Sequence, residues 1–392
     1  MREFPDGYEG ICPCLGIVQQ GDLCSVLLDH AELGDLENYL EITLPPDSPE
    51  SITFFWKRVI EVAHTLSLLH RFQKGELVIE GCHRDIKPSN ILVFADSERK
   101  PLFKLCDFGL AVLTKQHTAP VTMEAWVGNL TCGAPETSQF HKDKMIGLPE
   151  AQAQDVWSLG CVLSIVASFV VMGYDGVREF HAARLSAAGN NQGNLETDSF
   201  HDGENILEEV KEWHRRLTNT AVTRRTLSAR RDTVTPEILK LLDSSVLVPA
   251  KKRLTSRLLW AKLNEILSKS SGALSADSVT LRTSTAGPLS AIQPTYTGHE
   301  KKREPPSWGF PRRRRTQPFQ RHDDDRGTLV AESIPVYNLL WVDLEKYLTM
   351  RFPGLVFREQ IRNDRYVFEI PQRLTQEDRD VIMELRDRDY SA

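Results

Sequence analysis

No cysteine follows Cys161 in a chain of 392 residues, and the seven present stand at 12, 14, 24, 82, 106, 132 and 161. An odd count without paired zinc-ligand spacing argues against a disulfide framework and reads as reduced thiols. Cys12-Pro13-Cys14 is too tight and too isolated for a zinc site. The opening Met1-Arg2-Glu3-Phe4-Pro5-Asp6-Gly7 has no apolar core behind it, so no signal peptide is read there. Neither sign of charge dominates: the formal balance is −6, which excludes neither fold nor enzyme but gives the whole chain no electrostatic pull toward nucleic acid or membrane. Charge is absent altogether from Val156 to Gly173, nearly the length of a membrane span. Ser158, Ser164, Ser168, two glycines and the adjoining Asp155 make that stretch a buried helix of a globular lobe and not a span. Two further absences matter below. No lysine precedes Lys57, and no G-x-G-x-x-G occurs ahead of it.

What is present centres on residues 82–90, Cys-His-Arg-Asp-Ile-Lys-Pro-Ser-Asn. Asp107-Phe108-Gly109 follows, behind the strand-like run Leu102-Phe103-Lys104-Leu105-Cys106. Downstream come Ala134-Pro135-Glu136, then Asp155-Val156-Trp157-Ser158-Leu159-Gly160, then Pro249-Ala250-Lys251-Lys252-Arg253-Leu254-Thr255. Each of these alone is weak. In this order they resemble the catalytic loop, metal-binding, A-P-E, D-x-W-S-x-G and P-x-x-R-x-[ST] segments of eukaryotic-type serine/threonine protein kinases. The resemblance covers about residues 10–268. Sugar and antibiotic kinases lack the D-F-G and A-P-E segments.

The resemblance implies ATP and Mg²⁺ as cofactors and a protein Ser/Thr hydroxyl as acceptor. Asp85 would take the hydroxyl proton, Lys87 would reach the γ-phosphate, and Asn90 and Asp107 would hold the metal through oxygen. A lysine at 87 is the serine/threonine pattern. Leu28 falls at the gatekeeper position, the Asp29–Ala31 backbone where adenine is bonded, and Leu92 among the cofactor contacts. His83, Phe108 and Gly109 would be framework of the site, Asp155 would brace the catalytic-loop backbone, and Arg253 would pair with Glu136. Arg84 would await a phosphate on the activation segment, with Thr118 and Thr122 as acceptors.

The expected architecture is α+β: a kinase-like fold with a mostly helical C-lobe, a remnant N-lobe β-hairpin and a small C-terminal α+β module. Its boundaries are read as 1–29 for the remnant, 30–268 for the lobe, 269–327 for a disordered basic linker and 328–392 for the module. Short apolar runs at 15–20 and 23–29 flank Gly21-Asp22, a hairpin signal. Ser48-Pro49 opens a helix whose apolar positions Phe55, Trp56, Val59, Ile60, Ala63, Leu66 and Leu69 recur at three and four. Residues 71–81 are long for the connection they make, and 173–204 read as an inserted loop with some helix at 177–187. After Lys269 the chain turns Ser/Thr-rich, then Pro/Arg-rich, with basic runs at Lys301-Lys302-Arg303 and Arg312–Arg315. Periodicity returns near Leu329: a helix within 336–350, strands around Asn363-Asp364, and a last helix from Thr375.

Two departures shape the functional expectation. The fourteen residues before the hairpin carry no phosphate-covering glycine loop, and no lysine stands where the third strand of the family holds one. Asn129 and Cys132 replace a threonine and a tyrosine of the family segment before A-P-E. Phosphotransfer by this chain is therefore expected to be small, and a pseudokinase scaffold or a nuclear adaptor acting through protein contacts is the alternative. The partners expected are a Ser/Thr protein substrate and a protein that meets the C-terminal module, with no membrane and no nucleic acid. The location expected is intracellular, cytoplasmic, with the nucleus as second site through the basic runs.

Overall fold

The computed structural model describes residues 9–20, 23–115, 122–124, 130–137, 145–188, 196–227, 232–283, 329–335, 339, 341–362 and 365–385. The turn at Gly21-Asp22, Thr118, Asn129, the basic runs and the Asn363-Asp364 turn lie outside these residues.

Strands β1 (Cys14–Gln20) and β2 (Leu23–Leu28) pair antiparallel, with Ile17 opposite Val26. Leu15, Ile17, Val18, Val26 and Leu27 are all 49% exposed or more, so the ribbon is apolar but largely uncovered. Helix α1 (Leu36–Ile42) starts at Asp35, whose carboxylate accepts the Asn38 N–H at 2.9 Å. Helix α2 (Pro49–His70) follows the spacing read from the sequence and opens on a reciprocal Ser48/Ser51 capping box. Its apolar stripe, from Ile52 to Leu69, is buried.

The long connection at 71–81 is a hairpin. Strands β3 (Arg71–Lys74) and β4 (Leu77–Cys82) pair with each other, and β4 goes on to pair with β7 (Val112–Lys115) beyond the Asp-Phe-Gly turn. Between them β5 (Ile91–Ala95) and β6 (Pro101–Leu105) form the expected ribbon, and β8 (Thr122–Glu124) pairs with β9 (Met145–Gly147).

The uncharged stretch lies in α3 (Leu148–Ala188), whose most apolar window is 94% buried inside the protein. Gly160 permits this burial, because a Cβ there would sit 2.7 Å from Val246 Cγ1. Gly173 breaks the helix axis at φ 72°, a conformation that favours glycine. The chain then resumes as helix to Ala188, where the sequence reading had mostly loop: Phe180 stacks on Trp213 and Arg184 is buried, so tertiary contacts hold a segment whose composition is loop-like. After β10 (Glu196–Thr197) come α4 (Glu208–Leu227), α5 (Thr235–Leu241) and α6 (Ser256–Thr283), the last running beyond the boundary drawn at 268. One core joins α1 to α6, with Tyr39, Phe55, Phe103 and Phe169 packed ring to ring at its centre.

The C-terminal module comprises β11 (Val330–Pro335), α7 (Trp341–Arg351), β12 (Gln360–Arg362), β13 (Arg365–Ile370) and α8 (Gln376–Leu385). β11 was not read from the sequence as a strand. The sheet runs in the order β10-β12-β13-β11, so the lobe supplies its outer strand. A separate core gathers Ile334, Leu344, Leu348, Phe357, Tyr366, Phe368 and Ile370. Asp378 ties α8 to α7, accepting from Tyr347 at 2.7 Å and Arg351 at 2.8 Å.

Candidate active site

The loop at 83–90 is built around buried Asp155. Its carboxylate accepts the backbone N–H groups of His83 and Arg84, both at 2.7 Å, and the His70 ring at 2.9 Å. Ser256 stands 2.8 Å from the other His70 nitrogen, so α2, α3 and α6 converge on one anion. A buried carboxylate with this many donors is compensated in place. The pull on two consecutive amides goes with Arg84 at φ 72°, a left-handed position rare outside glycine.

His83 is wholly buried, and burial lowers its pKa, so its imidazole is neutral. One ring nitrogen lies 3.0 Å from the Cys106 carbonyl, and the other accepts the Asp85 N–H at 3.3 Å. The two contacts require the tautomer with its proton toward Cys106. Phe108 packs on the same ring at 4.9 Å between centroids.

Asp85 is buried, and one carboxylate oxygen is shared by Lys87 Nζ at 3.0 Å and Asn90 Nδ2 at 2.8 Å. Its other oxygen, Oδ1, is buried without a hydrogen-bond partner among the described residues. An orphaned carboxylate oxygen held beside a lysine is placed to accept a proton from an incoming hydroxyl.

Asn90 also donates to the Asp85 carbonyl at 2.9 Å. Both partners of that amide nitrogen are acceptors, which fixes the side chain and leaves its oxygen as the free end. The Cys106 N–H donates to the Asn90 carbonyl at 3.0 Å, bringing Asp107 alongside. Asp107 is exposed, at φ 58°, and Gly109 N–H reaches back to it at 3.3 Å. An amide oxygen and an aspartate are hard donors of the kind Mg²⁺ accepts when phosphates and water complete its shell. The donor set therefore fits the metal that the family implies.

Leu28, Ala31 and Leu92, three positions assigned to nucleotide contact, meet in one apolar cluster with Cys12, Phe94 and Cys106. Burial pushes the Cys106 thiol up to about 12, which makes it an inert wall. The Asp29 N–H donates to the Pro13 carbonyl at 3.0 Å, whereas no protein acceptor faces the Ala31 N–H among the described residues. Behind the activation segment Arg253 grips Glu136 with two nitrogens, at 2.6 and 3.3 Å, and also donates to the Ala153 and Val248 carbonyls.

Sequence reasoning missed a second buried anion. Asp198 is fully buried and accepts the Thr131 hydroxyl at 2.5 Å and Arg184 at 3.4 Å, while Arg184 also donates to the Asp198 carbonyl at 2.9 Å. It joins the end of the activation segment to the inserted stretch. Thr131 lies in the segment before A-P-E, but Asp198 stands 67 positions on with no motif around it, so no local pattern could announce the contact.

These positions agree with the comparisons. The protein kinase domain family matches residues 6–264, two-thirds of the chain, and the protein belongs to that family. Among curated proteins it is 30% identical over 159 residues to the serine/threonine-protein kinase cds1 of Schizosaccharomyces pombe, covering 41% of this chain and 31% of that one. It is 33% identical over 125 residues to the dual specificity protein kinase zak2 of Dictyostelium discoideum, covering 30% and 17%. It is 30% identical over 169 residues to MAP3K epsilon protein kinase 1 of Brassica napus, covering 43% and 11%. The chain thus spans less than a third of the length of these relatives.

Proposed function

We propose that this chain carries the substrate-side and metal-side half of a serine/threonine protein kinase. The observation that carries the reading is Asp85, buried, with one oxygen shared by Lys87 and Asn90 and the other unpaired. Asp85 would orient the acceptor hydroxyl and take its proton as the hydroxyl oxygen bonds the γ-phosphorus and the bond from that phosphorus to the departing ADP breaks. Lys87, already in place against Asp85, would offer its charge to the transferred group. Asn90 and Asp107 would hold Mg²⁺, with Leu28, Ala31 and Leu92 against the adenine and the free Ala31 N–H as donor to it. Bound ATP supplies the transferable phosphoryl group, and the metal neutralises its charge.

These 392 residues hold no glycine-rich cover for the phosphates and no lysine ahead of Lys57. Loss of one preorganised donor typically costs about 10²–10³ in rate. Transfer of radiolabel from ATP to a dephosphorylated Ser/Thr protein such as casein is therefore expected at background for this chain alone. Incorporation that vanishes in Asp107→Ala would overturn that expectation and establish an active enzyme. A second reading, a scaffold working through protein contacts, is favoured by the bare apolar ribbon of β1 and β2, a surface suited to further strands or a partner. An intracellular site of action, cytoplasmic and in part nuclear, goes with either reading. Unchanged distribution after replacing Arg312–Arg315 with alanine would remove the nuclear element.

A further inference from the structure

Leu130, just ahead of the Ala-Pro-Glu turn, packs its side chain against the apolar core of the C-terminal module. A second contact joins the same two bodies. β10 of the lobe runs parallel to β12, with Glu196 opposite Gln360 and Thr197 opposite Ile361. The residue after β10 is Asp198, which Thr131 and Arg184 hold in the lobe. The strand that meets the module and the end of the activation segment are therefore one fixed unit.

A further relation between module and lobe is electrostatic. Arg365 of β13 is half-buried and bonds Ser333 at 2.9 Å within its own sheet. Burial lowers its pKa and Arg379 adds to that, while the carboxylates of Glu37 on α1, Glu332 of the module and, more weakly, Asp35 act in the opposite sense. Glu37 shares a small cleft with Pro88, three residues beyond Asp85. The module thus touches the lobe beside the end of the activation segment, with Arg365 within the field of Glu37 on α1.

A substrate that brings its hydroxyl within about 3 Å of Asp85 must lay its flanking residues over this same ground. From the strand pairing and the Leu130 contact, we infer that the C-terminal module is an internal ligand of the lobe's protein-substrate face and excludes substrate until it lifts away. That the face receives substrate rests on the kinase reading above; the docking does not. Among the described residues the joint is two residues of strand pairing and one apolar contact, small enough for a competing partner to open.

Gln360 gives a clean test, because among the described residues its register partner is Glu196 alone, while β12 pairs with β13 from Ile361 onward. In the full chain, Gln360→Pro should speed amide hydrogen exchange about tenfold at 130–137 and 196–199, with 341–351 as slow as before. Glu37→Lys, on the lobe side, should loosen 130–137 and 360–362 in the same way without entering the module's fold. If the first variant also frees 341–351, the module has unfolded and the second variant decides. Wild-type exchange at 130–137 in Glu37→Lys and in a folded Gln360→Pro overturns the docking. A fluorescein-labelled serine peptide carrying arginines should bind Gln360→Pro about tenfold more tightly than the wild type by anisotropy. Equal binding despite faster exchange overturns the exclusion of substrate. Neither readout needs phosphotransfer, so an inactive chain leaves the docking test intact.

Discussion

Asp155 and His83 are separated by 72 positions, yet the Asp155 carboxylate accepts the His83 backbone N–H at 2.7 Å inside the protein. The same carboxylate takes the next amide, that of Arg84, and the ring of His70. The loop at 83–90 is thus hung on the central helix by its backbone.

Asp155→Ala should therefore destabilise the lobe by about 3–5 kcal/mol, since it strands two buried amides and a histidine. Urea unfolding followed by tryptophan fluorescence measures it. Asp155→Asn keeps one acceptor oxygen and should lose less. A loss under 1 kcal/mol in Asp155→Ala, on the order of an ordinary surface change, would show that the loop stands without this anchor.

How much of this was legible depended on how local the cause was. Ser48-Pro49 and the spacing from Phe55 to Leu69 define α2 within its own residues, and both its ends were readable. Asp85, Lys87, Asn90 and Asp107 lie in two short motifs, so the order of the motifs was enough to bring them together. The helix after Gly173 was read mostly as loop because its stability comes from elsewhere: Phe180 stacks on Trp213 of α4, and Arg184 is held by Asp198. β11 escaped for the same reason, since it is a strand through its pairing with β13. The Thr131–Asp198 bond was out of reach, because the segment around Asp198 carries no pattern to set against the one around Thr131.

Arg253→Lys should not behave as a conservative change. Arg253 spends its guanidinium on both Glu136 oxygens and on the Val248 and Ala153 carbonyls, and its Cζ lies 5.0 Å from the centroid of the Trp157 ring. A lysine can satisfy a part of that set from a single point. A loss of about 2 kcal/mol is expected for lysine and about 3–5 kcal/mol for alanine, read from urea midpoints. Equal stability of the lysine variant and the wild type would mean that the fork geometry is idle.

MgATP should stabilise the lobe only when Asp107 and the metal are both present. At free nucleotide about five times its Kd, the gain in unfolding free energy is about 1 kcal/mol. Differential scanning fluorimetry should show the shift for the wild type and its loss on adding EDTA or in Asp107→Ala. A shift that persists through both would mean that the nucleotide sits elsewhere.

The module should respond to pH through Glu359, whose pKa burial raises to about 6, with Glu345 adding like-charge repulsion. Its carboxyl is an acid whose folded pKa lies above its unfolded one, so the folded state holds the proton longer. At pH 4 the two states differ little in protonation. As pH rises from about 4.5 to 6 the unfolded chain ionises first, and stability falls across that window, then levels off. Glu359→Gln removes the ionisation altogether. It should raise the stability of the module at pH 7 by about 1 kcal/mol, a figure reduced for the solvent that still reaches this side chain. At pH 4 the variant and the wild type should coincide, because neither then carries a charge at 359. Exchange of the α7 amides at the two pH values separates this from a general effect of the substitution. A gain of equal size at pH 4 would assign the stabilisation to packing of the amide and not to the lost charge.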